Sequence, residues 1–221
     1  MRNENCWYKN VCTYDNCTNC IRYSEMKYLI ENSGIPKNRQ MPQSLEAGID
    51  YDAFVRLDII RETVQQFVED GENLYICSEQ TGNGKTSWSI KLLLKYFDYI
   101  WAGNGFRQRG YFQHVPTLLN TLKNFNTNHD ALKYTLENVD IVVWDDIAST
   151  KLSEFDISQL LTLIDQRIVD GKANIFTGNI ITETNLEKAL GSRLASRIWN
   201  TSIVIQFNGK DRRHGSIADN L

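Results

Sequence analysis

From about residue 50 onward, the chain alternates between two hydrophobic periods. Phe54, Val55, Leu57, Ile60, Val64, Phe67 and Val68 recur at helical spacing behind Asp52, a residue suited to a helix start, and the stripe stops at Gly71. A short apolar run, 74–77, reads as a strand. A glycine-bearing loop follows, then helical spacing over 85–97. A strand is expected at 111–115, and Pro116 can open a helix through Leu118, Leu119 and Leu122, because proline suits a first turn. Residues 130–137 read as a short helix, and 141–144 as a strand apolar on both faces. A helix over 158–169 stops at Gly171, a strand takes 174–177, helices lie near 184–190 and 192–199, and a fifth strand covers 203–207. Strands alternating with helices predict an α/β fold with a parallel sheet between helical layers.

The chain divides into three segments. Residues 1–32 hold four of the five cysteines and many aromatics. Residues 33–49 hold two of the three prolines and two glycines and read as an irregular linker. Residues 50–221 form the regular domain. The 221 residues, 42% hydrophobic and 23% charged, exclude a disordered or fibrous chain. No run of about 18 apolar residues exists, and the start lacks a signal-like apolar stretch, so no membrane association and a reducing, cytoplasmic setting are expected. A net charge of −3 is not that of a chain coating nucleic acid, so any such contact must be local.

The segment Glu79-Gln80-Thr81-Gly82-Asn83-Gly84-Lys85-Thr86-Ser87 carries the most chemistry. Gly84-Lys85-Thr86 fits the end of a phosphate-binding loop, G-x-x-x-x-G-K-[ST], while Glu79 stands where the first glycine belongs. A strand, a loop and a helix start bring free N–H groups and the positive end of a helix dipole to one place. Lys85 can reach β- and γ-phosphates, and the Thr86 hydroxyl can ligate Mg²⁺. A chance match at a helix start is the bland alternative. Some sixty residues on, the 141–144 strand ends in Asp145-Asp146, at the edge where open α/β sheets bind ligands. Asp145 is the candidate Mg²⁺ ligand and Asp146 the candidate base that orients water, although two aspartates after a strand also make a cap or turn. Asn179, beyond the fourth strand, can sense a γ-phosphate or simply close an Asx-turn.

The segments SGIP (33–36), TGNGKTS (81–87), VPTLLNTLK (115–123), VDIVVWDDIA (139–148), IDQRIVDGKANIFTGN (164–179) and SRLASRI (192–198) together resemble the DnaC/DnaI-type helicase loaders and their IstB-like relatives among the AAA+ ATPases. The resemblance spans roughly residues 33–213. It implies an AAA+ P-loop NTPase core with a five-stranded parallel sheet in the order 5-1-4-3-2 and no C-terminal lid. It also implies ATP as the nucleotide, Asn179 at the sensor 1 position and Arg197 at the arginine-finger position, with Arg193 one turn earlier. A spacing of i, i+4 puts both arginines on one helix face, which could equally be a solvated basic face. Arg213, or Arg212, can stand in for a sensor 2 arginine, or belong to a solvated or DNA-touching tail.

Cys6, Cys12, Cys17 and Cys20 could form a four-thiolate zinc site, with unliganded thiols and an iron–sulfur cluster as alternatives. The layout resembles the zinc-binding amino-terminal region of DnaI-type loaders, although the spacing differs. The first expectation is an ATP-dependent loader of a DnaB-type replicative helicase onto single-stranded DNA. It would self-associate through the nucleotide site, with Arg107, Arg109, Tyr111 and Phe112 as a candidate DNA-touching mix. An IstB-type transposition regulator and a non-catalytic zinc adaptor or inhibitor are the alternatives.

Overall fold

The computed structural model describes residues 6–13, 19–40, 45, 47–123 and 129–211. Among them a parallel sheet is built from β1 (Asn73–Cys77), β2 (Gly110–His114), β3 (Ile141–Ile147), β4 (Ala173–Gly178) and β5 (Ser202–Gln206). Its order is β2-β3-β4-β1-β5, which is the 5-1-4-3-2 order that the resemblance implies. The period-2 alternation sorts side chains cleanly. Leu74, Ile76, Val143 and Ile175 face one helical layer, where α1 (Ile21–Glu31), α2 (Tyr51–Glu62), α3 (Val64–Glu69) and α4 (Lys85–Ile100) pack. Tyr75, Cys77, Val142, Trp144 and Phe176 face the other, where α5 (Val115–Lys123), α6 (His129–Asn138), α7 (Glu154–Val169), α8 (Glu183–Leu190) and α9 (Ser192–Trp199) lie. Each large side chain buried in this way contributes about 1.5–3 kcal/mol.

Three elements differ from the sequence expectations. The stripe over 54–68 forms two helices, because Thr63 leaves helical geometry (φ −109°, ψ 22°) while its hydroxyl bonds back to the Ile59 carbonyl at 3.0 Å. Helix α7 starts at Glu154, four residues before the expected start. Ser153 and Asp156 cap each other's backbone N–H groups there, and Lys123 also holds the Asp156 carboxylate, at 2.9 Å. Helix α1 lies within the cysteine-rich segment and buries Met26, Leu29 and Ile30 in the same core as α4. The linker is docked as well. Phe112 donates its N–H to the Ser33 carbonyl at 2.6 Å, and a Cβ on Gly34 (φ +73°) would stand 2.5 Å from the Phe112 oxygen.

Below the amino edge of the sheet runs a buried polar chain. Arg167, fully buried on α7, donates to the carbonyls of Leu136 (2.6 Å), Val139 (2.9 Å) and Ala173 (2.7 Å) and to Asn174 Oδ1 (2.8 Å). Burial pushes its pKa down to about 9, which leaves it charged at neutral pH. Asn174 also accepts from Trp144 Nε1 (3.0 Å) and donates to Asn73 Oδ1 (2.8 Å), while Asn73 donates to Thr201 Oγ1 (3.1 Å). Strands β3, β4 and β1 and the entry to β5 are thereby tied at one edge.

Candidate nucleotide site

The opposite edge carries the chemistry. Strand β1 ends at Cys77, and residues 78–84 turn into α4. Gly82 (φ +69°) and Gly84 (φ +105°) need the left-handed backbone region, and the space that a Cβ on Gly84 would fill is open to 3.7 Å, where Leu45 begins. The described non-glycine residues with positive φ are Phe106, Asp146 and Ala148. Glu79 is therefore not in a conformation reserved for glycine, and its side chain is exposed. Ser78 organises the loop from below, accepting from Gln80 N (3.1 Å) and Asn83 Nδ2 (2.7 Å). Asn83 also reaches the Gly209 carbonyl at 3.3 Å, and Asp50 receives the N–H groups of Asn208 (2.6 Å) and Gly209 (3.0 Å). The linker end, the exit of β5 and the loop thus fix one another.

Lys85 bends back over the loop, with its ammonium 2.7 Å from the Gln80 carbonyl and 3.4 Å from Asn83 Oδ1. Thr86 Oγ1 donates to Asp145 Oδ1 at 2.8 Å, and Thr177 Oγ1 donates to the same oxygen at 2.8 Å. Burial raises the Asp145 pKa above the ordinary carboxylate value; the two hydroxyls oppose the shift and Asp146 adds to it. A bulge between Trp144 and Ile147 turns the end of β3, and Asp146 sits at φ +64° with its N–H held by Thr177 Oγ1 at 2.9 Å. Such backbone costs of order 1–3 kcal/mol and concentrates at functional sites. His114, ending β2, places Nε2 3.9 Å from Asp146 Oδ2 while Nδ1 meets Thr117 Oγ1 at 2.9 Å.

The structure therefore brings Lys85, Thr86 and Asp145 together, with Asp146 adjacent. Asn179 follows β4 directly at the same edge. Thr177 and His114 belong to the group and were not expected from the sequence; each is a strand-end residue beside an acidic strand end, and only the sheet order reveals that. Gly178 has a packing reason, since a Cβ there would approach Tyr75 Oη to 2.7 Å and the Ile147 carbonyl to 3.1 Å.

Arg193 and Arg197 lie elsewhere. They line a cleft of about 420 Å³ with Asp165 and Leu161 of α7, where Arg197 Nε pairs with Asp165 at 2.6 Å. The expected DNA-touching mix is divided: Arg107 is exposed, Arg109 is paired with Asp140, Tyr111 is half-buried and Phe112 is buried. Cys17 and Arg213 lie outside the described residues. Among the described residues no group of three or more His, Cys, Asp or Glu is placed to hold a metal ion, and Cys20 Sγ serves as the α1 cap, accepting from Tyr23 N at 3.5 Å. The described thiols thus do not support the expected zinc site.

The chain aligns with the crystal structure of the DnaC helicase loader at a TM-score of 0.59 and 19% identity, over 83% of this chain and 98% of that one. This is the fold of the helicase loaders. DnaI aligns at a TM-score of 0.57 and 18% identity, over 86% of this chain and 93% of that one. The replication initiator DnaA bound to AMPPCP and single-stranded DNA aligns at 0.50 and 16% identity, over 82% of this chain and 50% of that one. No protein-family model and no curated protein matches the sequence, so the likeness is one of fold. What the alignment covers is an α/β fold with a parallel sheet. Among the described residues no helix is long and apolar enough to cross a membrane.

Proposed function

We propose that the chain is an ATP-binding and hydrolysing DNA-replication protein that loads a DnaB-type replicative helicase onto single-stranded DNA. The observation that carries this reading is the Lys85–Thr86–Asp145–Thr177 group at the carboxyl edge of a loader-type fold. The residues fit Mg²⁺ and a triphosphate: Gly82 and Gly84 hold the left-handed backbone that lets loop amides converge, and two hydroxyls hold a buried carboxylate in position. Bound Mg²⁺ would neutralise phosphate charge there. In this reading the loop amides of residues 80–87 cradle the phosphates, and Lys85 exchanges its Gln80 carbonyl contact for a phosphate oxygen. Thr86 and Asp145 are the metal-side ligands. Asp146, held by Thr177 and faced by His114, orients the attacking water, with Asn179 beside it. Arg197, with Arg193 next to it, exchanges its Asp165 partner for a phosphate held by a neighbouring copy. Residues 50–211, with α1 and the docked linker, act as one ATPase unit.

Calorimetric titration of ATP and Mg²⁺ into the protein tests the nucleotide half. Binding by the wild type, and loss of at least about a hundredfold in affinity for Lys85→Ala, are expected, since charge-assisted phosphate contacts are the strong ones. Absence of binding by a folded wild type would remove the reading. Co-purification with the host replicative helicase, with and without ATP, tests the loading half. Glu79 favours a second reading, because it places an extra carboxylate on the phosphate loop: a nucleotide-binding adaptor without hydrolysis. Equal background ATPase rates for wild type and Asp146→Asn would select it.

A further inference from the structure

A second cleft, of about 320 Å³, opens on the outer face of α4, on the far side of that helix from the sheet. Its floor is Ile90 and Leu94, and its wall is Met26 of α1 and Trp7. The amino-terminal segment completes it. Tyr8 donates to Asp98 near the end of α4, Arg22 pairs with the same carboxylate at 2.6 Å while its guanidinium stacks 3.4 Å over the Tyr8 ring, and Trp7 Nε1 donates to the Gln40 carbonyl at 2.9 Å.

The charge around the cleft is unbalanced in a specific way. Four cations line it, Arg39, Arg61, Lys91 and Lys95, against two carboxylates, Glu62 and Asp98. Both carboxylates are already engaged, Glu62 by Arg61 (2.7 Å) and Lys95 (3.7 Å), Asp98 by Arg22 and Tyr8. Among the described residues, Lys91 and Arg39 have no carboxylate at ion-pair distance; the Lys91 ammonium lies 4.4 Å from the Trp88 ring, and Asp58 acts on it only from beyond that distance. An apolar floor beside two such cations has a defined complement. We propose that this cleft binds a small aromatic anion, a planar ring carrying one carboxylate, sulfonate or phosphate, with the ring on Ile90 and Leu94 between Trp7 and Met26 and the anionic group between Lys91 and Arg39. Burial, and the field of Arg61, already push the Lys91 ammonium below its ordinary pKa, so a negative group arriving there relieves an existing strain. The cleft shares α4 with the phosphate loop: Ser87, on its lining, follows Thr86 directly. It needs the amino-terminal segment docked, which gives that segment a task that does not depend on metal.

The test uses the full chain and 1-anilinonaphthalene-8-sulfonate, an aromatic anion whose emission rises in apolar surroundings. One site per chain is expected. Lys91→Gln combined with Arg39→Gln should weaken it by about tenfold or more, and Lys91→Arg should retain it. Lys85→Ala should also retain it, which separates this site from the nucleotide site. Competition with indole-3-acetate against adenosine monophosphate, carried out in Lys85→Ala, then distinguishes a carboxylate from a phosphate as the preferred head group. As a check that needs no variant, the probe should slow acylation of Lys91, read by mass spectrometry, relative to the exposed Lys151. Equal affinity in the double variant, or acylation of Lys91 unaffected at saturating probe, would overturn the assignment.

Discussion

The two edges of the sheet each bury a cation among polar groups, and they use it in opposite ways. At the amino edge, Arg167 is saturated by main-chain carbonyls at the end of α6 and the start of β4 and by Asn174. Those carbonyls are held by α6, β4 and the short turn into β3 and have nowhere to go. At the carboxyl edge, Lys85 rests on a loop carbonyl and a neighbouring amide, and Asp145 on two hydroxyls. The backbone there is bulged and in the left-handed region at Asp146 and Ala148, whereas the amino edge keeps regular strand register. Buried charge therefore does not by itself mark function. What separates the edges is whether a ligand could replace the partners without dismantling the fold.

Substitution should break the amino edge first. Arg167→Met leaves the carbonyls of Leu136 and Val139 buried without their donor and takes one from Asn174 Oδ1, and a loss of about 3–5 kcal/mol is expected in urea unfolding. Lys85→Ala should do the reverse. Alongside the binding loss expected above, its unfolding free energy should stay within about 1 kcal/mol of wild type, because its nearer partner is the carbonyl of the exposed Gln80, and the buried Asn83 keeps its bonds to Ser78 and the Gly209 carbonyl. Similar stability losses for the two variants would erase the distinction between the edges. Between these extremes lies Gly178→Ala, whose Cβ would stand 2.7 Å from Tyr75 Oη, itself donating to the Ile180 carbonyl at 2.8 Å. Overpacking of this kind costs about 1–3 kcal/mol. Because the glycine sits directly between Thr177 and Asn179, nucleotide affinity should fall with stability there.

This contrast also explains what the sequence could reveal. The turn at 78–84 and the acidic end of β3 were legible because each is local in sequence: a strand, a turn and the next few residues. The strands were legible because apolar runs with turn residues at each end have few other uses. The amino-edge chain was not, since Arg167, Asn174 and Asn73 meet only through the strand order. For the same reason Thr177 and His114 escaped notice beside Asp145 and Asp146. Helix α1 was obscured by cysteines and aromatics that drew attention to metal chemistry, although Met26, Leu29 and Ile30 already had helical spacing. Over 107–112 the strand period divides the mixed residues: Phe112 points into the core, while Arg107, ahead of the strand, stays exposed.

The smallest expected effect sharpens the comparison most. Asp145 is buried, and its folded-state pKa is raised, so the folded protein binds its proton more tightly than the unfolded chain does. Stability from this group is then highest below the ordinary aspartate pKa of about 4, and it falls as pH rises through the raised value. Asp145→Asn keeps an oxygen for Thr86 and Thr177 and removes the charge. In nucleotide-free protein it should melt at a higher temperature than wild type at pH 7, and the gap should close as the pH is lowered past about 4. Magnesium with ATP should raise the wild-type melting temperature and leave that of Asp145→Asn nearly unchanged, reversing the order. A carboxylate whose removal stabilises the empty protein and disables the liganded one is retained for its ligand. If instead Asp145→Asn melts below wild type at neutral pH without nucleotide, the carboxylate belongs with Arg167 among the groups that hold the sheet together.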